Sequence, residues 1–343
     1  MESFPAMRLF IFHKSLKIWN PIRIFKGYRF AIKHMIRKEM NVLLASLFIG
    51  CLASSCQTDQ NKNAVDALST LRQQIDSIVS PHRAVVGVSI LGPNPSDTLS
   101  FHGDARFPLQ SVFKYHAAIP LLAQIDQGTY SLDHTITLTQ EDLNTQLYSP
   151  MSTAHSVGEE VSMATLMRYS IAESDNVACD LLLLTLGGPG IVQDYFHGKG
   201  IKDLAIQHNE VDMQAQWANM YDNWTTPKAA SQALQHFLIN QDQSLSKESH
   251  QFLWNTMRAT QTGADRLKAL LPPGTVIAHK TGSSGTNEEG FTPATNDIGV
   301  IYLPDGRYFI ISVLVGSSYE DDTTNARIIA EIAKAAYHHF LQS

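Results

Sequence analysis

The sequence predicts an α+β (α/β) fold: a five-stranded antiparallel sheet assembled from both ends of the chain, flanked by helices, plus an all-helical region. Two observations predict it. Short apolar runs of strand type lie early, at 84–91 and 98–101, and late, at 275–281, 296–303 and 307–315. The stretch between, roughly 106–261, instead carries apolar residues at helical spacing, broken by loops.

The first 56 residues differ from the rest. Nine Lys/Arg face only Glu2 and Glu39 there, and Val42 to Ala53 is an uncharged apolar run followed by Ser54-Ser55-Cys56. A basic region, about twelve apolar residues and a small-residue exit read as a secretory signal, too short for a comfortable membrane span. Met35 and Met40 are each a more ordinary start for it than Met1. Cys51 and Cys56 both resemble the lipid-modified cysteine of a bacterial lipoprotein, so an exported, periplasmic chain is expected, with a lipid anchor through one of them or a plain cleaved signal. The predicted boundary falls at 56/57, with one domain over 57–343. Its α/β part covers roughly 65–105 and 262–341, and its helical part roughly 106–261.

The elements follow in order. Residues 57–70 are polar and read as a tether. Val65, Leu68, Leu71, Ile75 and Ile78 mark a helix ending before Pro81. Ala84 to Leu91 is a strand, and Thr98 to Phe101 its partner after the Gly92-Pro-Asn-Pro95 turn. Gln110 to Gln127 is helical and closed by Gly128. Helical segments follow at 162–173, 177–186, 189–197, 226–240 and 246–259. The stretch 203–225 has no clean period, and a long irregular loop in a compact domain is usually functional or disordered. Trp217, Tyr221 and Trp224 favour a loop ordered against the body. After Pro272-Pro273 the strands return, with Pro304-Asp-Gly306 as a turn, and a last helix covers roughly 319–341.

Nine of the 26 basic and two of the 32 acidic residues lie in the first 56, which leaves 17 against 30, a net of −13. Such a domain should avoid nucleic acid. It retains one cysteine, Cys179, in an apolar helical context, so no intrachain disulfide forms and an inert buried thiol is expected. The fourteen histidines form no metal motif, and no metal or cofactor is expected.

Chemistry centres on Ser111-Val-Phe-Lys114. Residues three apart are neighbours across one helical turn, so Lys114 can touch the Ser111 hydroxyl and help remove its proton. Pro108 suits the first turn of a helix whose positive end would face the site. The spacing alone is weak, since Ser244-Leu-Ser-Lys247 repeats it in what reads as an ordinary exposed stretch. What separates the two is the ordered set that follows Ser111: Ser174-Asp175-Asn176 between helical segments, Glu210 in the irregular loop, and Lys280-Thr281-Gly282 closing an apolar strand.

With that set, residues 65–341 resemble the serine β-lactamases of class A. Lys280 to Gly285, Ala294 to Ile298 and Thr262-Gly-Ala-Asp-Arg266 are most similar to the cephalosporinase (extended-spectrum) branch. The resemblance implies the β-lactamase/transpeptidase-like fold and, as substrates, penicillins and especially cephalosporins. It implies Ser111 as nucleophile and the N–H groups of Ser111 and Ser283 as oxyanion hole. Ser174 would carry a proton to the departing nitrogen, and Asn176 would bind the substrate's side-chain amide. Lys280, also catalytic, would supply positive charge near Ser174 and the substrate carboxylate, Thr281 and Ser283 would supply hydroxyls for that carboxylate, Arg266 would help bind it, and Gly282 would line the substrate site. Glu210 would be the deacylating base; Asp203, Asp212 and Asp222 are the other loop carboxylates, and whether Lys114 or Glu210 takes the first proton stays open. Tyr148 would line the entrance, or be a packed surface tyrosine. A monomer is the family expectation.

The sequence departs from the family around Glu210. Gln214 stands where an asparagine usually shares the hydrolytic water, and His208 and Asn223 occupy the positions of an arginine–aspartate clamp. A differently folded, wider loop is expected. The rival readings are a penicillin-binding D,D-peptidase, which lacks the glutamate, and a lactam sensor, which stays acylated.

Overall fold

The computed structural model describes residues 68–342. The signal-like segment, Cys51, Cys56 and the 56/57 boundary lie outside the described residues. Five strands make the main sheet: β1 (Val85–Leu91), β2 (Thr98–Phe101), β3 (Ile277–Ser283), β4 (Thr292–Tyr302) and β5 (Tyr308–Ser318). Their order is β2-β1-β5-β4-β3, and every pairing is antiparallel. Among the described residues, the first strand therefore pairs with the last, Val88 opposite Val313.

Alternate side chains of a strand point to opposite faces. On β5, Phe309, Ile311, Val313 and Val315 enter one core, and Ile310 and Leu314 enter the other. Helices over 68–79 and Asp322–Gln342 cover the first face through Leu71, Ile75, Ile329 and Phe340. Helix Pro227–Ile239 covers the second through Ala230, Ala233 and Leu234 and leads into the helical region. Both faces are buried, which is why these strands read as nearly unbroken apolar runs. Four of the helices start where a short polar side chain accepts from the N–H three residues on: Ser162 from Thr165, Asp175 from Ala178, Thr226 from Ala229 and Ser246 from Ser249.

Several boundaries differ from the sequence expectation. β3 and β4 run further through polar residues, so Lys280-Thr-Gly282 lies within a strand and does not close it. Pairing continues there because the backbone ladder needs no apolar side chain where the sheet lines a cavity. The last helix starts at Asp322. Residues 130–161, which show no period, hold a small hairpin, Thr135–Thr137 with Glu160–Ser162, and the short helices Gln140–Leu143 and Pro150–Ala154. The aperiodic 203–225 stretch is ordered. Trp224–Thr225 pairs with Leu204–Ala205 on one side and Phe107–Pro108 on the other, enclosing helix Glu210–Ala215 and the 3-10 turn Trp217–Tyr221.

Candidate active site

Ser111 lies in a 3-10 turn, Gln110–Val112, that feeds helix Phe113–Asp126. Pro108 is not in the helix's first turn, as expected from sequence; it belongs to the short strand before it, where the pairing with Trp224 holds it extended. Gln110 is buried and held at φ +48, and Ser174 at φ +62. Such backbone costs on the order of 1–3 kcal/mol per residue and persists where the surroundings over-determine it. At Gln110 those surroundings are named: Asn296 on β4 donates to the carbonyls of Pro108 and Leu109, at 2.7 and 3.3 Å. Gly282 on β3 lies so close that a Cβ there would sit 2.7 Å from the Leu109 oxygen.

Lys114 is fully buried. Its ammonium donates to Ser111 Oγ and to Asn176 Oδ1, both at 2.6 Å, and pairs with the buried carboxylate of Glu210. Ser111, Lys114 and Glu210 thus form one connected chain. A buried ammonium is tolerable only with its donors used and an opposite charge beside it.

Ser174-Asp175-Asn176 bridges two helices, and its middle residue does work that sequence reasoning left unassigned. Asp175 caps helix Asn176–Leu186 and also accepts from Ser149 Oγ and Met151 N. With the Asn176 N–H bonded to the Tyr148 carbonyl at 3.0 Å, this holds Tyr148 at the cavity mouth, where its ring is exposed.

From the opposite wall, Lys280 donates to Ser174 Oγ at 2.9 Å and to the Thr281 carbonyl at 3.0 Å. Burial and, next, the positive charge of Lys114 push the Lys280 ammonium well down from its ordinary range. Thr281 and Thr262 share a 2.6 Å hydroxyl contact. The Arg266 guanidinium donates to the carbonyls of Gly282 (3.0 Å) and Asn296 (2.8 Å) and to Ser283 Oγ (2.5 Å).

Glu210 opens helix Glu210–Ala215, capped by Asn209. Asp180, one turn into helix Asn176–Leu186, accepts from the N–H groups of Glu210 (2.7 Å) and Val211 (3.0 Å). Burial pushes the Asp180 carboxyl up to about 7, against the pull of those two donors. Its sequence signal was one charge inside the apolar run Val177 to Leu184. The expected loss of the arginine–aspartate clamp is seen with its substitute. Asn223, fully buried, accepts from Gln207 N (2.7 Å) and His208 N (2.9 Å) and donates to His208 O (2.8 Å), while the His208 ring turns outward to Asp222 at 3.1 Å.

These residues surround a cavity of about 540 Å³. Ser111, Ser174, Asn176, Glu210, Gln214 and Arg266 line it, with Tyr148 and Thr281-Gly282-Ser283; Lys114 and Lys280 lie buried beneath. Sequence reasoning missed Gln110, Met213 and Met220 as lining residues, and placed Trp217 only as a packing aromatic. The second Ser-x-x-Lys does no chemistry here: Ser246 caps a helix, and Ser244 bonds Lys199 and Asp242. Cys179 is buried, and burial pushes its thiol well up, as an inert thiol requires. Among the described residues no group of three His, Cys, Asp or Glu could hold a metal ion.

A serine bonded to a buried lysine, which also pairs with a glutamate, and faced by a second lysine–serine pair is an arrangement suited to acylation followed by deacylation. Residues 70–340 match the family model described as the β-lactamase enzyme family. The chain belongs to that family. This β-lactamase is 38% identical to VEB-1 of Pseudomonas aeruginosa over 306 residues, 89% of this chain and 99% of that one. It is 43% identical to the extended-spectrum β-lactamase PER-1 of the same organism over 274 residues, 79% and 88% of the two chains. A β-lactamase structure from Chitinophaga pinensis superposes with a TM-score of 0.76 at 37% identity, over 78% of this chain and 98% of that one. The enzyme is a class A serine β-lactamase that hydrolyses β-lactams, and these relatives do not favour the D,D-peptidase or sensor alternatives.

Proposed function

We propose that Ser111 and Glu210 carry the two halves of β-lactam hydrolysis, linked through Lys114; the observation that carries this is that Lys114 touches both. Ser111 Oγ attacks the lactam carbonyl carbon while its proton leaves toward Lys114 and Glu210. The N–H groups of Ser111 and Ser283 stabilise the oxyanion. The carbon–nitrogen bond breaks, and Ser174, beside Lys280, delivers the proton to the departing nitrogen. Water then attacks the ester, Glu210 takes its proton, and the bond to Ser111 breaks as the hydroxyl regains a proton. Gln214 orients that water, Asn176 binds the side-chain amide, and Lys280, Thr281, Ser283 and Arg266 bind the carboxylate. Glu210→Gln should acylate yet turn over at least ~100-fold more slowly, the usual weight of a general base. Intact mass at short and long times reads this out; rapid clearance of the adduct by the variant would remove Glu210 from the role.

Bulky cephalosporins are the preferred substrates in this reading. Its support is the cavity floor built on an Asn223 clamp, the flexible Met213 and Met220 beside it, and PER-1, a relative named as extended-spectrum. Comparable kcat/KM on small penicillins and bulky oxyimino cephalosporins is expected; no turnover of the bulky class would sink it. The enzyme acts outside the cytoplasm as a monomer, exported by its basic-apolar leader and anchored by a lipid on Cys51 or Cys56. Fatty-acid labelling of the expressed full chain, lost when both cysteines become alanine, tests the anchor.

A further inference from the structure

Behind the cavity wall lies a buried pair that no step above uses. His279 and Asp297 are 2% and 0% exposed. On the sheet, Thr281 stands opposite Asp297 and His279 opposite Gly299, so His279 and Asp297 are diagonal neighbours on one face of β3 and β4. It is the face away from Lys280, whose side chain alternates to the catalytic side. The His279 Nδ1 lies 3.0 Å from each carboxylate oxygen of Asp297, and since a carboxylate accepts, Nδ1 carries the proton. Asp297 Oδ2 also accepts from the backbone N–H of Leu267, at 3.3 Å.

Leu267 follows Arg266, so the pair grips the chain directly beside the guanidinium that lines the cavity. The rest of the 260–267 segment is pinned to the same strand. Thr260 Oγ1 donates to the His279 carbonyl at 2.7 Å. Gly263, at φ +71, lies where a Cβ would come 3.5 Å from Asp297 Oδ2 and 3.6 Å from the His279 ring, and closer still to Thr281. Leu267 itself is buried in the outer core. Toward the cavity mouth the same segment places Thr262 on Thr281, and Arg266 on the carbonyls of Gly282 and Asn296 and on the Ser283 hydroxyl.

We propose that His279 and Asp297 are positioning residues for substrate carboxylate recognition: the pair holds the Arg266–Leu267 backbone so that the guanidinium stays seated against Gly282 and Ser283. The inference rests on the reading that Arg266 binds the carboxylate. His279→Leu removes the donor. His279→Asn restores one near the Nδ1 position, because the two side chains share that branch point.

The test is steady-state hydrolysis of a chromogenic cephalosporin by the purified mature chain. His279→Leu is expected to raise KM about tenfold and change kcat less than threefold, and His279→Asn to recover most of the loss. Arg266→Ala should raise KM on its own, and adding His279→Leu to it should raise KM no further. A purely structural role would lower kcat and stability in both backgrounds and be indifferent to Arg266. Should His279→Leu not fold, His279→Gln, with its amide one methylene further out, takes its place with the same expectation. A raised KM in Arg266→Ala with an unchanged KM in His279→Leu overturns the inference alone. So does an additive effect of the two substitutions. An unchanged KM in Arg266→Ala overturns the carboxylate reading, and the inference with it.

Discussion

Two ionisable side chains packed around the cavity of this β-lactamase, Lys280 and Asp180, are held away from their ordinary ranges by burial. Lys280 is pushed down by burial and by Lys114, which places a labile proton beside Ser174. Asp180 is pushed up to about 7 from its ordinary value near 3.8 by burial. Between those values the folded state binds a proton that the unfolded chain has released, so the stability of the fold falls as pH rises from about 4 to about 7. Asp180→Asn removes that component. The variant should therefore gain about 2–3 kcal/mol relative to wild type between pH 5 and pH 8, read from urea melts at each pH, since about two pKa units lie in that range and each is worth about 1.4 kcal/mol. A constant difference across that range would show that Asp180 ionises normally in the fold. Ser111, Lys114, Ser174, Asn176 and Lys280 were legible because each belongs to a short motif whose spacing has a chemical reason. Asp175, Asp180 and Gln110 were not, because their work is to hold backbone that lies far away in sequence.

The strand β3 and the turn Gln110–Val112 form the joint on which catalysis depends. Asn296 ties the turn's entry to β4, and Gly282 lets β3 lie against it without a side chain between. Gly282→Ala places a methyl against the Leu109 carbonyl, where only backbone can yield. Overpacking of this kind costs about 1–3 kcal/mol. The variant should lose kcat/KM at least tenfold while the far core stays intact; equal activity would mean the joint is looser than its contacts. The 203–225 segment teaches the complementary point. It carries no period because its order comes from pairing with residues near 107 and from the three backbone bonds of Asn223, not from an apolar face of its own.

In the domain as a whole, the early and late parts of the described chain share one sheet and one core. The last helix lays Phe340 against Phe309 of β5, ring centroids 5.1 Å apart, and beside Gly92 in the turn between β1 and β2. Phe340 is fully buried, so Phe340→Ala should lower unfolding free energy by about 3–5 kcal/mol, the cost of emptying an aromatic site in a core. Activity at low temperature should persist, because no catalytic side chain touches that core. A loss below about 1 kcal/mol in chemical denaturation would mean the helix end contributes little.

Amino-acid order alone determined the fold class, the placement of strands early and late with helices between, the Ser111-x-x-Lys114 pair as neighbours, and the family to which the chain belongs. Each of these is local: a period of 2 or 3.6 residues, or a motif whose members lie within one turn or one strand. Tertiary structure decided what depends on distant partners. It set the polar ends of β3 and β4, the ordered 203–225 segment, the Asn223 clamp and the seat of Glu210 on Asp180. It also set the buried His279–Asp297 pair behind Arg266. Polar residues carry no periodic signal when they are buried; their positions follow from which donors and acceptors the folded chain brings within about 3 Å of each other.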